Sequence, residues 1–120
     1  MAWLLVAIFG GLGAVARYLL DRAIMSQLTT KFPVGTLVIN LSGALLLGVA
    51  VGLATRGILS ADESIAIGDG FIGAYTTFST LMFESLALAS EGSISLGAIN
   101  TLGTVVLATF LAYLGIHLAH

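Results

Sequence analysis

From Val34 to Thr55, and again from Ile94 to Ala119, the chain carries no Lys, Arg, Asp or Glu. A helix that crosses a membrane needs about 20 consecutive, mostly apolar residues, and each run is long enough. Two further runs qualify with few charges. Ala2 to Leu20 holds only Arg17, and Ser64 to Ser90 holds only Asp69 and Glu84. Polar segments separate them: Asp21, Arg22 and Ser26 to Lys31, then Arg56 to Glu63, then the turn Glu91-Gly92-Ser93. Pro33 suits the start of the second helix, where its missing N–H costs nothing. Ser60 or Asp62 suits the cap of the third. The pattern predicts an all-α integral membrane protein of four transmembrane helices, with spans near 2–25, 33–56, 64–90 and 93–119, in one domain covering 1–120. Ala2 onward has no basic stretch before its apolar run, so it reads as a first span and not as a removed leader.

Composition agrees and excludes several classes. Of 120 residues, 58% are hydrophobic and 8% charged, too apolar to cover a water-soluble surface of this size. The net charge of −2 removes a broad basic face for nucleic acid. The absence of cysteine removes thiolate chemistry and disulfides. His117 and His120 have no carboxylate neighbours, so a metal site there is not expected. No catalytic constellation is visible, and the chain reads as a non-enzyme.

The third run departs most from plain hydrophobicity. It contains Gly70-Phe71-Ile72-Gly73-Ala74-Tyr75, then Thr76-Thr77-Phe78-Ser79-Thr80, then Leu81-Met82-Phe83-Glu84. Ser and Thr compete for local backbone hydrogen bonds, and Gly loosens a helix, so the third helix is expected to break midway. Irregular backbone at membrane depth is tolerated only where protein buries it or it lines a watery cavity. Such ends offer N–H and C=O groups to ions. From the residues alone, the reading is a selective pathway for a small ion.

Polar residues within spans are costly and are candidates for that pathway. Thr77, Thr80 and Glu84 at i, i+3 and i+7 are expected to share one helical face, either a seam between helices or one wall of the path. Phe78 and Leu81 form an adjacent face. Asn40 is either a bond between helices or a pore-facing amide. Arg17 either reaches the interface or anchors a polar network. Asp69 is expected at the interface. Small residues at four-residue spacing (Gly10 and Ala14; Ala44, Gly48 and Gly52; Gly70 and Ala74) permit close helix packing, which accounts for most of the 15 glycines. Four such helices enclose little space, which favours an oligomer. Basic groups are nearly balanced across the membrane, with Arg22 and Lys31 on one side and Arg56 and the N-terminal amine on the other. Without a bias, insertion in both orientations and an antiparallel dimer are expected.

Three stretches in order carry a resemblance: Gly10-Gly11-Leu12-Gly13-Ala14-Val15-Ala16-Arg17-Tyr18, Phe32-Pro33-Val34-Gly35-Thr36-Leu37-Val38-Ile39-Asn40-Leu41-Ser42-Gly43, and Gly70 to Thr80. Together they resemble the Fluc (CrcB) family of fluoride channels over nearly the whole chain. The resemblance implies a dual-topology homodimer in the inner (plasma) membrane with two pores, passing fluoride passively out of the cytoplasm. It implies backbone carbonyls of Gly73 and Thr76 around a structural sodium ion at the dimer interface. It places Asn40, Phe78, Ser79, Thr80, Leu81 and Glu84 along the pore and Arg17 in a supporting network near the vestibule. This chain departs from the family at Leu81, where a second phenylalanine is usual, and at Ala74, where many relatives have Gly. The departure at Leu81 leaves open a heterodimer with a similar subunit. The rival readings are a small multidrug-resistance-type cation exporter, which needs a carboxylate deep in the first helix, and a membrane assembly subunit with no transport role.

Overall fold

The structure is a computed structural model that describes all residues 1–120. It is helical throughout, without a strand. Helix α1 is Ala2–Met25 and α2 is Val34–Thr55. Helix α3 covers residues 61–75 in three continuous pieces, Ala61–Ser64, Ile65–Ile72 and Gly73–Tyr75. Helix α4 is Phe78–Ser90 and α5 is Ile94–Ala119. Three of them (α1, α2 and α5) are long and apolar enough to cross a membrane by themselves. The molecule measures 48 × 28 × 22 Å. Its long axis therefore exceeds the hydrocarbon core of about 30 Å and reaches the headgroup regions.

Local chemistry explains the helix ends. Ser60 caps α3, because its side chain accepts the Glu63 N–H at 3.2 Å while the Glu63 carboxylate accepts the Ser60 N–H at 2.7 Å. That reciprocal pair satisfies two donors that the helix cannot. Asp62, the other candidate, lies inside the first turn. Pro33 sits one position outside α2, at its cap. Gly57 and Gly92 turn the chain with φ of 73° and 95°, a region that side chains disfavour. Between Ile65 and Ile72 the turns of α3 are wider than α-helical, of the π type. Such turns are rare and concentrate at functional sites; the residue pattern did not announce them.

Helices α2 and α5 meet through small residues. A methyl group at Gly48 would collide with the Ala112 carbonyl, and one at Gly115 with that of Leu45. The Gly10 and Gly70 rows also face each other, since a Cβ at Gly10 would sit 3.6 Å from the Gly70 carbonyl and 3.9 Å from Ala74 Cβ. Apolar side chains such as Trp3, Leu19, Val106 and Leu118 point outward. In lipid that is the favourable arrangement, because tails are as apolar as leucine.

Candidate functional site

The helical hydrogen bonding of α3 stops at Tyr75 and resumes at Phe78, leaving Thr76 and Thr77 extended. Thr76 ends the first piece. Both its N–H and its hydroxyl donate to the Ile72 carbonyl, each at 3.0 Å, and its ψ of 159° then turns the chain out of the helix. Thr77, with φ −150° and ψ 121°, starts the next piece as its cap. Its Oγ1 accepts the Thr80 N–H at 3.2 Å and donates to Thr80 Oγ1 at 3.1 Å, with Ser79 Oγ at 3.3 Å. Thr is a favoured cap because its hydroxyl replaces a missing helical acceptor. Thr77 is therefore not on a helical face with Thr80 and Glu84, as the i, i+3, i+7 spacing suggested. Its extended backbone turns the hydroxyl along the chain instead.

The extended Thr77 presents its own N–H and C=O to one side, as a strand residue does. Asn40, buried in α2, meets both groups. Asn40 Oδ1 accepts the Thr77 N–H at 2.8 Å, and Asn40 Nδ2 donates to the Thr77 carbonyl at 3.0 Å. One side chain thus supplies what a neighbouring strand would supply. Unpaired, each of these groups would cost about 1–3 kcal/mol when buried. The second Asn40 amide hydrogen is not used in this pair.

Cavities lie on both sides of this clamp, and Thr77 borders each. One, of about 270 Å³, is lined by Asn40, Thr76, Phe78, Leu81 and Thr104 among others. The other, of about 190 Å³, is lined by Arg17, Asp21, Thr36, Ile39 and Thr80. The first N–H groups of α4 have no acceptor within the helix, and of these the Thr80 N–H is taken up by Thr77 Oγ1. Arg17 and Thr80 come together here, with Asp21 and Thr36 added. Phe78 and Leu81 line one cavity but differ in setting: Phe78 is 68% exposed at the protein surface, and Leu81 is 3% exposed inside its own chain. Ser79 is exposed beside Thr77. Glu84 lines neither cavity; it is half-buried, its Oε1 has no hydrogen-bond partner, and its polar neighbours are Thr36 and Asp21. Asp69 is exposed on α3.

Gly73 and Thr76 occupy the end of α3. The last carbonyls of a helix have no donor within it and form its negative pole. Gly73 is exposed, and even a Cβ added there would meet only the Gly68 carbonyl, at 3.5 Å. Carbonyl oxygens at a helix end are the donor type that a hard monovalent cation takes, so the chemistry of these two residues is compatible with the sodium ion that the resemblance implies.

Sequence reasoning passed over several polar groups. Asn100 Nδ2 donates to Ser85 Oγ at 2.9 Å, tying α5 to α4 in a buried position, while Asn100 Oδ1 and the buried Thr104 Oγ1 have no protein partner. Tyr75, buried, shares a hydrogen bond of 2.9 Å with Ser42. The available signal was the one applied to Asn40: a polar residue inside a span.

Comparison with known proteins places this arrangement. Residues 4–116 match the family model described as CrcB-like protein, Camphor Resistance (CrcB). The chain is 44% identical to "Fluoride-specific ion channel FluC 2" of Mycolicibacterium paratuberculosis, over 98% of this chain and 93% of the relative. It is 42% identical to "Fluoride-specific ion channel FluC 2" of Moorella thermoacetica, over 96% and 93%. With "Fluoride-specific ion channel FluC" of Solibacter usitatus the identity is 41%, over 99% and 98%. The relatives are channels by name, a class without enzymatic activity, and three helices here can span a bilayer. The chain is a multi-pass membrane protein, not an enzyme, and it belongs to the CrcB family.

Proposed function

We propose that this chain is a fluoride-selective channel that lets fluoride leave the cytoplasm passively across the plasma membrane. The observation that carries the reading is the Asn40–Thr77 clamp, which holds two extended residues between hydroxyl-bearing cavities. Fluoride is small and tightly hydrated, so a pore must replace its water with strong donors. Hydroxyls, the spare Asn40 N–H and those N-terminal amides of α4 that Thr77 does not cap are such donors. The relatives, named fluoride-specific, add weight to that ion.

In this reading the whole chain is one four-helix membrane domain, and α3 with α4 crosses the bilayer as two half-helices. Two copies assemble antiparallel as a dual-topology homodimer, consistent with the even spread of basic residues. The backbone carbonyls of Gly73 and Thr76 would hold a structural sodium ion between the subunits, and the positive charge would offset the negative helix ends gathered there. Fluoride would pass Arg17 and Thr80, then Asn40, Phe78, Ser79 and Leu81. Glu84 would border the track from α4. The multidrug exporter loses support, because α1 has no carboxylate before Asp21.

The test is fluoride efflux from liposomes containing the purified chain, read with a fluoride electrode. Efflux well above that of empty liposomes, with chloride retained, is the expected result. No efflux, together with proton-coupled uptake of a lipophilic cation, would overturn the reading.

A further inference from the structure

Three consecutive residues around the α3–α4 junction each engage α2. Thr77 is held by Asn40 through both backbone groups, and Tyr75 shares a hydrogen bond of 2.9 Å with Ser42. Between them, the Thr76 methyl occupies the space that a side chain at Gly43 would need. The two hydrogen-bonded pairs, 40 with 77 and 42 with 75, keep a common register: two residues forward on α2 matches two residues back across the junction. A single tether would let the extended residues pivot about one point. Two tethers, one before and one after Thr76, fix its orientation.

We propose that Tyr75 and Ser42 form a second tether that positions the extended Thr76–Thr77 pair, and that ion passage depends on it. The proposal rests on the channel reading for its flux arm. Tyr75 is suited to this task. Its ring is 7% exposed and stacks on Phe71 with centroids 5.8 Å apart and planes at 18°. The stacking limits the ring's freedom, so the hydroxyl is delivered to one place. Ser42 in turn lies close to the Ile39 carbonyl, at 3.1 Å, so its hydroxyl can donate to α2 while accepting from tyrosine. Tyr75 and Ser42 are absent from the lining of both cavities beside Thr77. They act through Asn40, Thr76 and Thr77 and are positioning residues.

The experiment uses the full chain in liposomes and in detergent. Tyr75→Phe removes only the hydroxyl and keeps the stacked ring; Ser42→Ala removes its partner; Ser42→Thr keeps a hydroxyl. The first readout is hydrogen exchange at the Thr77 amide, which does not require that any ion pass. Loss of one buried hydrogen bond of ordinary size corresponds to about a fivefold change in an equilibrium, so exchange should quicken about fivefold in Tyr75→Phe and in Ser42→Ala. The double variant should change no further, because both lesions cut the same bond. The second readout is fluoride flux per folded molecule, expected to fall by a similar factor in both and to be retained in Ser42→Thr. Wild-type exchange at Thr77 in Tyr75→Phe, or equal losses in Ser42→Thr and Ser42→Ala, would overturn the tether. If the unmodified chain passes no fluoride, the channel reading fails while the exchange readout still decides the tether.

Discussion

Along α2, Asn40 and Ser42 meet the α3–α4 junction through hydrogen bonds, whereas Gly48 and Gly52 meet α5 through bare backbone. In the first half Asn40 and Ser42 reach across to Thr77 and Tyr75, and cavities of about 270 and 190 Å³ remain beside the contact. In the second half Gly48 lies on the Ala112 backbone, and Gly52 on those of Ile116 and Ala119, with no space for a methyl group. Both are solutions to the same difficulty. Lipid offers no hydrophobic drive between helices, so they are held by close van der Waals packing or by polar bonds. Packing through glycine closes the gap between helices. Hydrogen bonds through side chains span it and leave room for a small hydrated solute. One helix thus provides a rigid anchor at one end and an open, polar wall at the other.

The largest expected effect breaks the anchor. Gly48→Leu forces a side chain into the Ala112 backbone, which cannot swing aside as a flexible side chain would. Overpacking of this kind costs about 1–3 kcal/mol, and more where backbone is struck. The variant should lose most of its folded yield and unfold at lower temperature in detergent. Gly103→Leu is the control, because nothing lies within 4 Å of a Cβ there. Equal stability of the two variants would mean that the α2–α5 contact is not the anchor.

The polar half should fail differently. Asn40→Ala leaves the Thr77 N–H and C=O without their partner, at about 1–3 kcal/mol each. Flux per folded molecule should fall about twenty-fivefold, the size expected for two ordinary hydrogen bonds lost together. Yield should suffer less than in Gly48→Leu, since the α2–α5 packing is untouched. A variant with full flux would reduce Asn40 to a packing residue.

The contrast between the two halves also explains what the residues disclosed. The apolar runs are long-window signals, and α1, α2 and α5 follow them closely. Gly48 and Gly52 are periodic along one helix, so their packing role could be read from spacing. Asn40 and Thr77 are 37 residues apart, and Ser42 and Tyr75 are 33 apart, so no local pattern links them. Helical spacing also misplaced Thr77, because a residue outside the helix does not obey its period. The widened turns of Ile65–Ile72 pack against α1, a long-range contact that no stretch of α3 states by itself. Leu81 was expected along the pore, and it borders the larger cavity while lying 3% exposed inside its own chain. Its burial inside its own chain depends on the packing of α4, which is equally invisible in the residue pattern.

Leu81→Phe sharpens the polar half. Leu81 borders the larger cavity, so a ring has room to turn its positively polarised edge inward, which leucine lacks. Fluoride flux should rise by about threefold, the lower end of what one favourable aromatic contact contributes. A fall, with a lowered unfolding temperature, would show that the site is closed packing and not pathway.

The smallest effect comes from comparing the same interaction in two solvents. Ser60 and Thr77 both cap helices by accepting the N–H three residues on, each at 3.2 Å. Ser60 is exposed at the start of α3, where water can take over its role; Thr77 is half-buried beside the clamp. Thr77→Val should therefore cut flux severalfold, while Ser60→Ala should leave flux unchanged and only loosen the first turn of α3. That turn should carry its own pH signature. Hydrogen bonds from Ser60, the backbone N–H foremost and then the side chain, hold the Glu63 carboxyl below its ordinary value of 4.5. A folded-state value lowered in this way stabilises the cap above the ordinary value, and the stabilisation is lost as pH falls through the folded one. Protection of the amides in Ala61–Ser64 should stay constant from neutral pH down to about 4.5 and fade below it, and Ser60→Ala, which keeps the backbone N–H and removes only the hydroxyl, should weaken that dependence without abolishing it. Were Ser60→Ala to cut flux as deeply as Thr77→Val, the cap at the water interface would belong to the pathway, and depth in the membrane would not be what separates the two.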